Sequence, residues 1–315
     1  MASTTTDASA AGTLTLGGEL EVRRLGFGAM RITGEGIWGP PADREEAKAV
    51  LRRALELGLN FIDTADSYGP EVSEELIAET LHPYPGGLVI ATKGGMTRSG
   101  PGRWVRDCSP EHLREACQGS LRRLRLDQID VYQLHAVDPG VPLEESVGAL
   151  AELREEGKIA HVGLSNVDTE ELERDREVVP VVSVQNRYSV GERDSDPVLD
   201  RCERDGLAFV HWGPLRAVRD NGDAVIGRMA DAHDASELQV ALAWLLARSP
   251  AMLPIPGTSS VDHLEENVAA AGLHLTEEEF GQLAAAEVIP PLRGRARRAL
   301  GRRLRRARSA RSRCG

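Results

Sequence analysis

Residues 44–81 read REEAKAVLRRALELGLNFIDTADSYGPEVSEELIAETL, and this stretch decides the fold. Apolar residues recur at helical spacing over Arg44–Leu57, Gly58 supplies a stop, and the short apolar run Leu59–Ile62 follows at once as a strand. After the polar segment Asp63–Tyr68, a second helical pattern covers Ser73–Leu81. A short strand set between two helices calls for parallel neighbours, because a parallel crossover needs a helix-length connection.

The same alternation continues outward. Further strands are expected at Leu88–Thr92, Ile129–Leu134, Ile159–Leu164, Val181–Val184, Leu207–His211 and Met252–Ile255. Helices are expected at Pro110–Leu124, Leu143–Glu156, Asp168–Arg174, Pro197–Arg204, Ser236–Ala247 and Val261–Ala271. Ser109-Pro110-Glu111 is a start signal, with a cap residue, a first-turn proline and an acidic residue. Seven strands and a weaker eighth, expected between residues 66 and 87, fit a closed (β/α)8 TIM barrel. The rival is an open doubly wound sheet. Against it, no strand is followed by G-x-G-x-x-G, and Gly26-Phe27-Gly28 comes too early and precedes no helical pattern. Ahead of the barrel, Leu14–Leu16, Gly17-Gly18 and Leu20–Val22 read as an N-terminal β-hairpin that plugs one barrel end.

The domain reading is a disordered leader over residues 1–12, one barrel over 13–289 and a disordered Arg-rich tail over 290–315. The formal net charge of -11 averages two unlike parts. The tail holds eleven Arg and no acid, which leaves 27 basic against 49 acidic residues, a net of -22, for the remainder. An acidic body argues against a nucleic-acid surface on the barrel. The tail reads either as a binder of nucleic acid, anionic lipid or an acidic partner, or as an unselected extension. Four scattered cysteines without C-x-x-C or Cys/His zinc spacing suggest no metal site and a reducing compartment. With no signal peptide and no apolar run of about 18 residues, the chain is expected to be cytoplasmic and not membrane-bound.

On a barrel of this kind, chemistry belongs at the C-terminal strand ends. Asp63 and Tyr68 follow the strand Leu59–Ile62, Lys93 ends the strand Leu88–Thr92, and His135 ends the strand Ile129–Leu134. Lys93 is one of three lysines against 35 arginines, so a compact ammonium was kept where a guanidinium was the ordinary choice. Each residue alone has a structural explanation; four at successive strand ends favour chemistry. An ammonium beside a phenol lowers its pKa and stabilises the phenolate, a carboxylate holds the ammonium in place, and a histidine orients a substrate oxygen. The set suits proton donation to a carbonyl oxygen, and it requires no metal.

The segments Phe61–Gly69, Ala91-Thr92-Lys93, Gln133-Leu134-His135, Gly163–Asn166, Val184-Gln185-Asn186, Ile255–Ser259 and Glu266-Asn267 together resemble the aldo-keto reductases. The similarity runs in order from about residue 14 to residue 287. The resemblance implies a (β/α)8 barrel that binds a nicotinamide cofactor and reduces a small-molecule carbonyl, with Tyr68 as general acid and Asp63, Lys93 and His135 beside it. It places Ser165, Asn166 and Gln185 on the carboxamide, Trp212 on the nicotinamide ring, and Pro214 and Leu215 in the following loop. Gly257, Thr258, Ser259 and His263 fall to the phosphates, and Glu266 and Asn267 to the adenine side. Gly257 and His263 stand where many NADPH-preferring members carry Lys and Arg, so NADPH is the first choice and NADH stays open. The segments Arg24–Arg31 and Gly36–Pro41 are similar to a bacterial branch that includes pyridoxal reductases, and Trp38, Trp104 and the loop Gly94–Arg106 would wall the substrate pocket. The competing implication is a cofactor-sensing regulatory barrel with little turnover, as in potassium-channel β subunits.

Overall fold

The computed structural model describes residues 7–213 and 224–285. Residues 1–6 of the expected leader, Pro214, Leu215 and the Arg-rich tail lie outside these.

A hairpin comes first, β1 (Thr13–Leu16) and β2 (Leu20–Arg23), paired antiparallel from Thr13↔Arg23 to Leu16↔Leu20. Eight parallel strands follow: β3 (Phe27–Gly28), β4 (Phe61–Asp63), β5 (Val89–Gly94), β8 (Ile129–Leu134), β9 (Ile159–Ser165), β10 (Val181–Arg187), β11 (Ala208–Trp212) and β12 (Met252–Pro254). Each strand neighbours the next in chain order. The ends meet as well, since Gly26 N–H donates to the Pro254 carbonyl at 2.8 Å and Gly28 N–H to Pro256 at 3.4 Å. The molecule is therefore the expected (β/α)8 barrel.

The helices are α1 (Arg44–Glu56), α2 (Val72–Leu81), α3 (Pro110–Leu124), α4 (Leu143–Glu155), α5 (Thr169–Val178), α6 (Asp196–Asp205), α7 (Ala224–Ala232), α8 (Glu237–Arg248), α9 (Val261–Ala269) and α10 (Glu277–Ala285). Several of their starts are capped by a side chain. Asp43 accepts from Glu46 N–H, Ser109 precedes Pro110, and Asp168/Glu171 and Ser236/Gln239 form capping boxes.

Inside the barrel, Phe61, Val89, Ala91, Val131, Val210 and Leu253 form one cluster, to which the hairpin adds Leu16 and Val22. The hairpin thus plugs the barrel from the end opposite the C-terminal strand ends. Gly17 has φ +61°, and a Cβ there would sit 2.3 Å from the His161 ring, so only glycine permits this seal.

Two expectations fail. The eighth strand is Phe27–Gly28, ahead of α1, and not a segment between 66 and 87, where only α2 forms. A two-residue strand is too short to show a pattern of its own. Its glycine, and Gly257 facing it, serve close approach: a Cβ on Gly28 would lie 2.6 Å from the Ile255 carbonyl oxygen, and one on Gly257 would lie 2.4 Å from that of Gly28. The second failure is the described part of the leader, residues 7–12. Ala8–Ala11 form a 3-10 helix capped by Asp7, Ala8 and Ala11 are buried, and Ala8 N–H donates to Leu57 at 2.9 Å. Small side chains with no apolar periodicity looked disordered, yet small is what this tight packing against the end of α1 requires.

The segment Gly94–Arg106 contains a second hairpin, β6 (Met96–Gly100) and β7 (Arg103–Arg106), paired from Met96↔Arg106 to Gly100↔Arg103. It stands off the C-terminal end of β5.

Candidate active site

The strands β4, β5 and β8 deliver Asp63, Lys93 and His135 to one end of the barrel, and the β4–α2 loop brings Tyr68 back over them. Lys93 is fully buried, and its Nζ donates to Asp63 Oδ1 at 2.5 Å, to the Thr64 carbonyl at 2.8 Å and to Tyr68 Oη at 3.3 Å. Burial works against the ammonium, but the Asp63 charge, Tyr68 and these hydrogen bonds outweigh it and hold its pKa above the ordinary lysine value. The Tyr68 phenol departs from the sequence argument. Burial raises its pKa by more than Lys93 lowers it, so the net shift is upward and the group stays a phenol at neutral pH. For a proton donor this is the competent form.

Asp63 is held from its other oxygen too. Oδ2 accepts from Gln133 Nε2 at 2.8 Å and from Gln185 Nε2 at 2.7 Å. A buried carboxylate thus has an ammonium and two amides around it, which offsets the loss of water. Sequence reading missed Gln133 in this role; its alternation with His135 across Leu134 on β8 was the available signal. Gln185, expected on a cofactor carboxamide, spends its Nε2 on Asp63. The second aspartate of the motif, Asp66, does not join the group. Burial and the nearby Glu74, against Arg123, push its carboxyl up to about 8.

His135 lies edge-to-face with Tyr68, ring centroids 5.8 Å apart, and its Nδ1 is 3.4 Å from Ser67 Oγ. Burial and the Lys93 charge drive its pKa well below the ordinary histidine range, so the imidazole is neutral.

Around the mouth, β9 and β10 bring Ser165, Asn166 and Gln185 together. Ser165 Oγ donates to the Gln185 carbonyl at 2.8 Å. Asn166 adopts φ +60°, and its Nδ2 donates to the His135 carbonyl at 3.1 Å and to Ser165 Oγ at 2.9 Å. Its Oδ1 accepts from Trp212 Nε1 at 3.2 Å, and Arg187 lies 5.6 Å from the centre of the Trp212 ring. Farther round, Gly257, Thr258 and Ser259 form the β12–α9 loop, and His263 is exposed on α9. Arg31, which the sequence reading did not single out, has its Cγ 3.6 Å from where a Gly257 Cβ would be. Glu266 and Asn267 lie on α9. Asn267 is 2% exposed, and its Oδ1 has no partner among the described residues. An orphaned buried acceptor is uncommon, and a ligand N–H would satisfy it.

The outer wall carries the two predicted tryptophans. Trp104 on β7 meets Tyr68 and His135 edge-on at 6.3 and 6.2 Å. Trp38 bridges to Gly69, just past Tyr68. Arg98 on β6 lies between these segments, its guanidinium 3.8 Å from the Trp104 ring centre and 5.8 Å from that of Trp38. Among the described residues no group of three or more His, Cys, Asp or Glu is placed to hold a metal ion, and no helix is long and apolar enough to cross a membrane.

Comparison with known proteins identifies the family. An uncharacterised oxidoreductase of Schizosaccharomyces pombe is 50% identical over 284 residues, 90% of this chain and 92% of the relative. The pyridoxine 4-dehydrogenase of Escherichia coli is 44% identical over 277 residues, covering 86% and 96% of the two chains. Among solved structures, the glycerol dehydrogenase of Gluconobacter oxydans superposes with a TM-score of 0.79 at 27% identity, over 90% of this chain and 98% of that one. An aldo/keto reductase of Klebsiella pneumoniae in complex with NADP and acetate gives 0.75 at 30% identity, over 89% and 96%. The aldo/keto reductase family profile matches residues 24–288, so this chain belongs to that family of oxidoreductases.

Proposed function

We propose that the protein reduces an aldehyde or ketone to its alcohol at the expense of NADPH, with NADH as the alternative donor, that its preferred carbonyl is a pyridoxal-like ring aldehyde, and that it works in the cytoplasm. The observation that carries this reading is the Lys93 ammonium, hydrogen-bonded at once to Asp63 and to Tyr68 Oη at the barrel mouth.

A bound reduced nicotinamide supplies hydride to the carbonyl carbon. The chain supplies the rest. Tyr68 Oη gives its proton to the carbonyl oxygen as negative charge develops there, and the Lys93 ammonium at 3.3 Å stabilises the phenolate that remains. Asp63, fixed by Gln133 and Gln185, keeps Lys93 charged and aimed. The neutral His135 orients the carbonyl oxygen by a hydrogen bond. Ser165, Asn166 and Gln185 would hold the carboxamide, Trp212 would lie on the ring, Gly257–Ser259, His263 and Arg31 would take the phosphates, and Glu266 and Asn267 the adenine side.

The 44% identity to the pyridoxine 4-dehydrogenase supports the substrate class, and the NADP-bound Klebsiella relative supports the cofactor. The deciding experiment follows cofactor absorbance with pyridoxal and a panel of aldehydes and ketones, in parallel with NADPH and NADH. Turnover of pyridoxal with NADPH is expected. Tight cofactor binding with no turnover on any carbonyl would replace this reading by that of a cofactor-sensing regulator.

A further inference from the structure

Arg98 is the most heavily used side chain at the rim, and no role in the chemistry accounts for it. Its donors all go to backbone carbonyls of three separate segments. Nη1 donates to Ile37 at 2.8 Å and Ser67 at 3.1 Å, Nη2 to Gly36 at 2.9 Å and Gly100 at 3.5 Å, and Nε to Arg103 at 3.2 Å. One guanidinium therefore joins the Trp38 loop, the residue before Tyr68 and the β6–β7 hairpin that carries Trp104. Its guanidinium carbon also lies over the Trp104 indole, 3.8 Å from the ring centre. Among the described residues no carboxylate pairs with it. Backbone bonds tie these segments at single points, Gly102 N–H to Gly36 at 3.3 Å and Gly39 N–H to Gly69, while the hairpin itself is a two-stranded ribbon with a register shift between Arg98 and Gly100. Isolated two-stranded ribbons are marginal in water, so an external clamp has something to do.

We propose that Arg98 is a positioning residue that holds Trp38 and Trp104 as one aromatic wall beside Tyr68, and thereby sets a preference for planar ring aldehydes over short aliphatic ones. This rests on the carbonyl-reductase reading above. A ring carbonyl whose oxygen meets Tyr68 lies against Trp104 and gains from that contact only if the indole is already in place. A three-carbon aldehyde reaches Tyr68 without touching the wall.

The test compares wild type with Arg98→Ala, Arg98→Lys and Arg98→Gln, using NADPH with pyridoxal and with propanal. A well-placed aromatic contact corresponds to roughly a 3- to 10-fold change, so Arg98→Ala should raise KM for pyridoxal by about that factor with kcat little changed. Its kcat/KM for propanal should stay near that of wild type. Arg98→Lys should behave like Arg98→Ala, because an ammonium keeps the charge but has neither the five-donor fork nor a plane to lie on the indole. Equal losses on both aldehydes would overturn the specificity role, and full rescue by Arg98→Lys would overturn the clamp. Should Arg98→Ala fail to fold, Arg98→Gln carries the same comparison. Amide hydrogen exchange over residues 36–39 and 96–106, with pyridoxine binding read by tryptophan fluorescence, gives a turnover-independent check. Faster exchange and weaker pyridoxine binding in the variants are expected, and unchanged values of both would overturn the proposal. If wild type reduces no carbonyl at all, the functional reading fails, and these two measurements still decide the clamp.

Discussion

The inner and outer halves of this site are built by different rules. Inside, Asp63, Lys93, Gln133 and Gln185 stand on four strands of one sheet and bond side chain to side chain, with every member buried. Outside, Trp38, Arg98 and Trp104 stand on loops and a ribbon, partly exposed, and are joined by side chain to backbone and by ring contact. Strands fix geometry to a fraction of an ångström because the sheet ladder and the packed core resist displacement. Loops can change length and sequence without touching that ladder. Breaking the inner half should therefore abolish chemistry and cost stability, whereas breaking the outer half should retune substrate choice.

The largest effect is expected from Tyr68→Phe. Removing a positioned general acid costs about 10²- to 10⁴-fold in rate, so single-turnover reduction should nearly vanish while NADPH binding, read by fluorescence, stays close to wild type. Near-normal reduction would end the assignment of the acid. Lys93→Met comes next and probes stability as well as rate. It strands the Asp63 carboxylate in the barrel, and breaking a buried pair from one side costs about 3–5 kcal/mol, which denaturant titration would show as a large loss. Gln133→Leu should be milder, since Gln185 still serves Asp63 Oδ2. A lost buried hydrogen bond costs about 1–3 kcal/mol, and the Lys93→Met and Gln133→Leu effects should be non-additive in a double-mutant cycle. Strict additivity would mean that the inner half is not one network.

On the outer side, Trp104→Ala should raise KM for ring aldehydes more than it lowers kcat, and steady-state kinetics on pyridoxal separates the two. The smallest effect is a change that should be missing. His135 is depressed well below 6.5, so it does not protonate as pH falls through 6.5, and kcat/KM for reduction should show no acid limb there. Tyr68 is raised above 10, so the phenol is retained as pH rises and the alkaline fall should begin only beyond that value. A fall near neutral pH would place the acid elsewhere.

Much of this was legible in the chain because strand and helix periodicities report local burial. Seven of the eight barrel strands and the ends that carry Asp63, Lys93 and His135 stood out, since each strand is a run of apolar residues closed by a polar one. The eighth, Phe27–Gly28, did not: it is two residues long, defined by pairing with Ile62 and Asp63 on β4 and by closure onto Pro254 and Pro256 more than two hundred residues away. The leader helix was hidden for the same reason, as its burial depends on Leu57. Lys93, one of three lysines, was visible because it departs from the bias for arginine. Arg98 was invisible among 35 arginines, for nothing local tells a clamping arginine from a solvated one.

The sequence by itself determined the alternation of strands and helices, the parallel sheet, and which polar residues interrupt it at the strand ends. Only the tertiary structure decided that Gln133 and Gln185 complete the cage around Asp63 and Lys93, and that burial outweighs the ammonium in setting the state of Tyr68. Periodicity records which way a side chain faces along one segment. Hydrogen bonds and desolvation depend on what other segments place within a few ångströms, and closing the barrel is what brings those segments together.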